Sequence, residues 1–226
     1  MRALLPKLAS VHEVIVVEAS PDAELPRGEN VTARRCAQPS RGKQMNEGAA
    51  AATGDVLVFL HADTEIEATH LEAIGAAMAN ESINGGAFYR QFDERHPHLR
   101  CFEFVARFLT RHGGTLFGDQ TLFVRREVFR KLGGFAEIPL MEDVEFSRRL
   151  RAAGPVAVLD PPIRTSPRHH IENGAWRTTI RNALFLLFYK LGVSAETLHR
   201  IYYARRAVAC AVLSAPTDEA AMHEVR

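Results

Sequence analysis

Four short stretches carry side chains able to act on a charged substrate. The first is His61-Ala62-Asp63-Thr64, which follows the apolar run Val56-Leu57-Val58-Phe59-Leu60. Such a run reads as a buried strand, and ligands of open α/β sheets gather beyond the carboxyl ends of strands. Asp63 at that end suits Mg2+ or Mn2+, hard cations that take oxygen ligands and keep phosphate oxygens as partners. The same aspartate could instead cap the turn through Thr64. The second stretch is Pro139-Leu140-Met141-Glu142-Asp143-Val144-Glu145-Phe146, two adjacent carboxylates opening a helix. A helix N-terminus stabilises negative charge, and a general base must take the proton of an attacking hydroxyl. Ordinary acidic capping of a first turn gives the same pattern.

The third stretch, Gly118-Asp119-Gln120, precedes a strand and follows the flexible His112-Gly113-Gly114-Thr115. It reads as a site loop or as a plain turn. The fourth is Arg41-Gly42-Lys43-Gln44-Met45-Asn46-Glu47-Gly48 at a helix start. Its cations and free backbone N–H groups suit a diphosphate. A Walker pattern is missing from it, so a P-loop is not expected.

The elements that must position these residues alternate through the first half. Strands are expected at 12–18, 30–34, 56–60, 85–90, 120–125 and 156–159. Helices are expected at 2–9, 42–52 with Ser40 as cap, 67–79, 99–110, 126–132, 142–153, 174–191 and 195–206. Alternation of this kind argues for a parallel sheet with right-handed crossovers. No internal repeat or linker divides the chain, so residues 1–226 are expected to form one domain, with 174–210 as C-terminal helices. The tail after Ala215 is polar and reads as loose.

Composition narrows the function classes. The chain has 226 residues, 46% hydrophobic and 24% charged, with formal net charge +1. That balance fits one α/β domain and gives no sign of a nucleic-acid binder. Cys36, Cys101 and Cys210 form no Cys-x-x-Cys, so neither a disulfide framework nor a zinc site is expected, and this usage fits the cytoplasm. The run Ala183-Leu184-Phe185-Leu186-Leu187-Phe188-Tyr189 is too short to span a bilayer. It is either a buried helix or an apolar face for peripheral membrane contact, and buried helices are the commoner case.

The order of the stretches says more than any one alone. Val14–Glu18, Arg41–Ala49 and Gly54–Asp63 resemble the family-2 glycosyltransferases. So do Gly118-Asp119-Gln120, Phe123-Val124-Arg125-Arg126, Gly133-Gly134-Phe135 and Met141-Glu142-Asp143. The similarity runs from about Val11 to Tyr203. Thr165-Ser166-Pro167-Arg168 and Leu191-Gly192-Val193 resemble the small bacterial subgroup found beside radical-SAM and arsenosugar genes.

That resemblance implies a GT-A fold, α/β with a mostly parallel central sheet flanked by helices. It further implies inverting transfer from a nucleotide-diphosphate sugar, with Asp143 as base beside Glu142. The donor would meet Glu18, Arg41, Lys43, Gln44, Asn46, Ala62, Asp63 and Arg168. Gly118, Asp119 and Gln120 would face the sugar and acceptor. The metal would sit on Asp63, with His169 as a further ligand. Family members usually begin with a strand of the type apolar-apolar-Ile-Pro-x-x-Asn-Glu, and this chain is expected to lack it. Two other readings fit parts of the pattern: a degenerate GT-A-like binding module, and a nucleotidyltransferase.

Overall fold

A computed structural model describes residues 13–61, 64–92, 97–165 and 175–203. The helix expected at 2–9 and the tail after Ala215 lie outside them. The order is β1 (Val14–Glu18), β2 (Val31–Arg35), α1 (Arg41–Ala51), β3 (Val56–Phe59), β4 (Thr64–Glu65), α2 (Ala68–Met78), β5 (Gly85–Phe92) and α3 (Pro97–Arg111). A 3-10 turn (Gly118–Gln120) then leads to β6 (Leu122–Arg125), α4 (Arg126–Lys131), α5 (Glu142–Ala153), β7 (Val156–Thr165) and α6 (Ala175–Lys190). A last helix covers residues 195–203.

The α/β class is as expected, but the sheet is mixed rather than mostly parallel. Five strands run in the order β3-β6-β5-β7-β4, and β1 pairs with β2 in a separate parallel sheet. Within the five, β5 and β7 are parallel, whereas β3–β6, β5–β6 and β4–β7 are antiparallel. Alternating strand and helix signals carry no direction. Here Thr121, with a φ of 54°, turns the chain out of the 3-10 turn so that β6 runs back between its neighbours. Gly85 and Gly86 allow that insertion. A Cβ on Gly85 would strike Phe123 O, and one on Gly86 would strike Ala157 O.

β7 extends past its expected end at Leu159 through Asp160-Pro161-Pro162. Its register with β5 steps from Phe88↔Leu159 to Arg90↔Ile163, so the prolines occupy a bulge where no ladder donor is required. Ser40 stands at the N-cap of α1, but its side chain makes no cap hydrogen bond.

Alternation along the central strands builds two cores. Leu122 and Val124 of β6 join Ala87, Leu57, Phe59 and the helices α1, α4 and α5. Phe123 and Phe88 point the other way, onto Ile74 and Met78 of α2. In the first core Phe59, Phe129, Phe135 and Phe146 pack ring to ring at centroid distances of 4.5 to 5.5 Å. Those rings tie the end of β3 to the start of α5. Arg149 secures the same corner, donating to Glu145 and to the carbonyls of Leu132 and Gly134.

The apolar run 183–189 is not a buried helix. Phe185 packs edge-on against Tyr202 at 5.8 Å, while Leu184, Leu187 and Phe188 are exposed. An apolar run winds round its helix, so only one flank can meet the protein.

Candidate active site

Three distant segments meet at one point. The backbone N–H of Gly118 donates to Asp143 Oδ2 at 2.8 Å, and that of Val144 donates to Oδ1 at 2.8 Å. One carboxylate is thus held at both oxygens by backbone donors, the second of them in the first turn of α5. Arg41, at the start of α1, approaches from the other side. Its guanidinium contacts His61 Nε2 at 2.7 Å, and its Nε lies 3.2 Å from Glu142 Oε1.

Gly118 stands where these side chains converge. A Cβ there would lie 2.8 Å from His61 Nε2, 3.0 Å from Arg41 and 3.3 Å from Asp143 Oδ2. Only a residue without a side chain lets these three side chains approach the backbone so closely. Met141 enters α5 with a φ of 69°, turning Glu142 and Asp143 to opposite tasks. Glu142 is buried at 2% exposure. Burial pushes its carboxyl above the ordinary value of 4.5; Arg41 draws it back down, and Asp143 adds to the rise. Its Oε1 accepts no hydrogen bond, although Arg41 Nε lies 3.2 Å away.

The other expected site residues divide. Asp119 is ion-paired with Arg90 of β5, and its Oδ1 is buried without a hydrogen-bond partner. Gln120 closes its own turn, accepting from the Phe117 N–H at 2.8 Å. Lys43 turns away to Gln38 at 2.8 Å and Glu137 at 3.5 Å. Gln44 donates to Val17 O at 3.0 Å, joining α1 to β1. Asn46 uses both ends of its amide on Phe135, donating to its carbonyl at 2.9 Å and accepting from its N–H at 2.8 Å. Glu18, at the end of β1, accepts from the Ser20 N–H at 2.9 Å. Ala62, Asp63, Arg168 and His169 lie outside the described residues.

His61 is the site residue that sequence reasoning left out. Its signal was its place, at the same strand end as Asp63. Among the described residues no group of three or more His, Cys, Asp or Glu could hold a metal ion. The buried Oε1 of Glu142 is a fair oxygen donor, but Arg41 already supplies positive charge there. The described donors therefore make no metal cage by themselves.

Comparison with known proteins agrees with this architecture. Residues 15–133 match the family model described as Glycosyl transferase family 2. A comparison with the curated proteins found no significant match. Among solved structures, the chain is similar to the mannosyltransferase PcManGT from Pyrobaculum calidifontis in complex with GDP-Man and Mn2+, at TM-score 0.59 and 16% identity over 95% of this chain and 72% of that one. It is also similar to S. aureus TarS 1–349 in complex with UDP, at TM-score 0.55 and 14% identity over 97% and 71%. The shared architecture is the GT-A fold.

Proposed function

Because the chain belongs to glycosyl transferase family 2, we propose that it performs an inverting transfer of sugar from a nucleotide-diphosphate sugar to an acceptor hydroxyl, with Asp143 as general base. The observation that carries this reading is the convergence of Arg41, His61 and Asp143 on the bare backbone of Gly118.

The chemistry follows from the placement of charge. Gly118 N–H and Val144 N–H fix the Asp143 carboxylate and leave it lone pairs for an incoming hydroxyl proton. As that proton leaves, the acceptor oxygen attacks the anomeric carbon from the face opposite the diphosphate. One displacement inverts the centre and needs no covalent enzyme intermediate. Arg41 meets the charge that builds on the leaving diphosphate, and buried Glu142 holds its guanidinium in place. Asp119, anchored by Arg90, faces the sugar side with Gly118 and Gln120.

Glu18, Asp63, Ala62 and Arg168 complete the donor pocket in this reading, while Lys43, Gln44 and Asn46 shape it from behind. A divalent cation, Mg2+ or Mn2+, held by Asp63 with His169, would neutralise the diphosphate. The Mn2+ bound with GDP-Man in the structurally similar mannosyltransferase supports that choice of ion. Thr165–Arg168 and Leu191–Val193 support placement in the small radical-SAM- and arsenosugar-associated subgroup, acting in the cytoplasm at the inner membrane face.

A thermal-shift screen with UDP- and GDP-sugars plus Mn2+, followed by assay of the released nucleotide, tests the proposal. Stabilisation by a donor and release of free UDP or GDP are expected. Pyrophosphate as product would identify a nucleotidyltransferase, and no shift with any donor would identify a binding module.

A further inference from the structure

The exposed apolar side chains are not scattered. Every large hydrophobic that is exposed among the described residues lies between positions 104 and 203. On α3 they are Phe104, Val105, Phe108 and Leu109, at i, i+1, i+4 and i+5, with Phe104 72% exposed. On α6 and just beyond it they are Ile180, Leu184, Leu187, Phe188 and Leu191, at i, i+4, i+7, i+8 and i+11. Each set is one stripe of a helix. A water-exposed stripe of this kind on two helices marks a surface that is covered in use.

Charge indicates what covers it. The chain as a whole is nearly neutral, at net +1. α6 carries Arg177, Arg181 and Lys190 with no acidic residue, and α3 carries Arg100, Arg107 and Arg111 against Glu103. Arg107 is paired with Asp160 at 2.8 Å and Arg181 stacks over the Tyr202 ring at 4.9 Å, while Arg111 and Lys190 stand in the last turns of the two helices. A second copy of the chain would bring the same two helices, whose one acidic residue, Glu103, cannot match their cations. An anionic lipid surface meets both requirements, taking the apolar stripe into the acyl boundary and the cations among its headgroups. No helix among the described residues is long and apolar enough to cross a membrane.

We propose that the apolar faces of α3 and α6 dock this protein onto the surface of an anionic lipid bilayer without spanning it. One of the two helices leads toward the candidate site. The segment after α3 bonds to α5 through Leu116 N–H and Ser147 Oγ at 2.7 Å and then delivers Gly118 to Asp143. An acceptor hydroxyl carried by a membrane molecule would suit a transferase docked in this way. This last step rests on the sugar-transfer reading; the docking itself does not.

Vesicle co-sedimentation of the chain is the test, using pure phosphatidylcholine and phosphatidylcholine mixed with phosphatidylglycerol at low and high salt. Salt-sensitive binding to the anionic vesicles is expected. Phe104→Glu with Phe108→Glu, and Leu184→Glu with Leu187→Glu, should each weaken it on the order of tenfold. These positions are exposed, and circular dichroism checks that the variants stay folded. Failure of the wild type to sediment with anionic vesicles overturns the proposal, as does unchanged binding by both double variants. A dimer in sedimentation velocity that the same variants dissociate overturns it in favour of self-association. Donor-induced thermal shifts are recorded in parallel, so failure of the sugar-transfer reading registers separately.

Discussion

Gly118 and Asp143, 25 residues apart in the chain, are joined by a 2.8 Å hydrogen bond from the backbone N–H of one to the carboxylate of the other. The bond fixes the orientation of the carboxylate without using any side chain of the loop. It also makes the loop's position and the carboxylate's position one variable.

Asp143→Asn can keep this bond through its amide oxygen, but its NH2 then faces the Val144 N–H and that second bond is lost. The amide cannot take the acceptor proton. Turnover is expected to fall by about 10²–10⁴ fold, with donor affinity nearly unchanged. Steady-state kinetics beside donor titration checks this, and parallel loss of both would assign Asp143 a structural part.

Gly118→Ala tests this close packing directly. The added methyl would sit 2.8 Å from His61 Nε2 and 3.0 Å from Arg41. Overpacking of this kind costs about 1–3 kcal/mol, and the flexible ends of Arg41 and His61 can absorb part of it. Activity should therefore suffer more than melting temperature; the reverse order would contradict a catalytic part for Arg41 and His61.

Glu142 gives a pH signature. Its folded value stands above 4.5, so the native state holds a proton that the unfolded chain has released. Native stability from this group then declines as pH rises from about the unfolded value through the folded one. Glu142→Gln removes that decline. Urea midpoints from pH 4 to 8 should show the difference between wild type and variant moving in favour of the glutamine form as pH rises. A constant difference would mean that Arg41 cancels the burial effect.

Asn46→Ala should act on the fold and leave the chemistry alone. It strips two partly buried hydrogen bonds from the backbone of Phe135. A loss of about 1–3 kcal/mol is expected, with turnover per folded molecule retained. A fall in donor affinity at full stability would instead place Asn46 on the substrate.

Local patterns told part of this story in advance. Val14–Glu18 and Val56–Phe59 were readable as strands because an apolar run needs burial wherever it lies. The start of α5 at Glu142 was readable because acidic residues suit a helix start. Strand direction was not readable, since the turn at Thr121 depends on tertiary packing. Prolines 161 and 162 hid the second half of β7, because their tolerance there comes from a bulge opposite Tyr89. His61 stood in a quoted stretch but was given no role, because its partner, Arg41, is 20 residues away on another element. The outward aspect of Leu184 and Phe188 was equally hidden, since hydropathy does not say which flank of a helix meets the protein.

The ring cluster of Phe59, Phe129, Phe135 and Phe146 has a kinetic consequence. It joins parts of the chain that lie up to 87 residues apart (146 − 59). Contacts that span so much sequence close late, after the loops between them have lost their freedom. Catalytic competence should thus be the final property gained during refolding and should return with the slowest phase that tertiary probes detect.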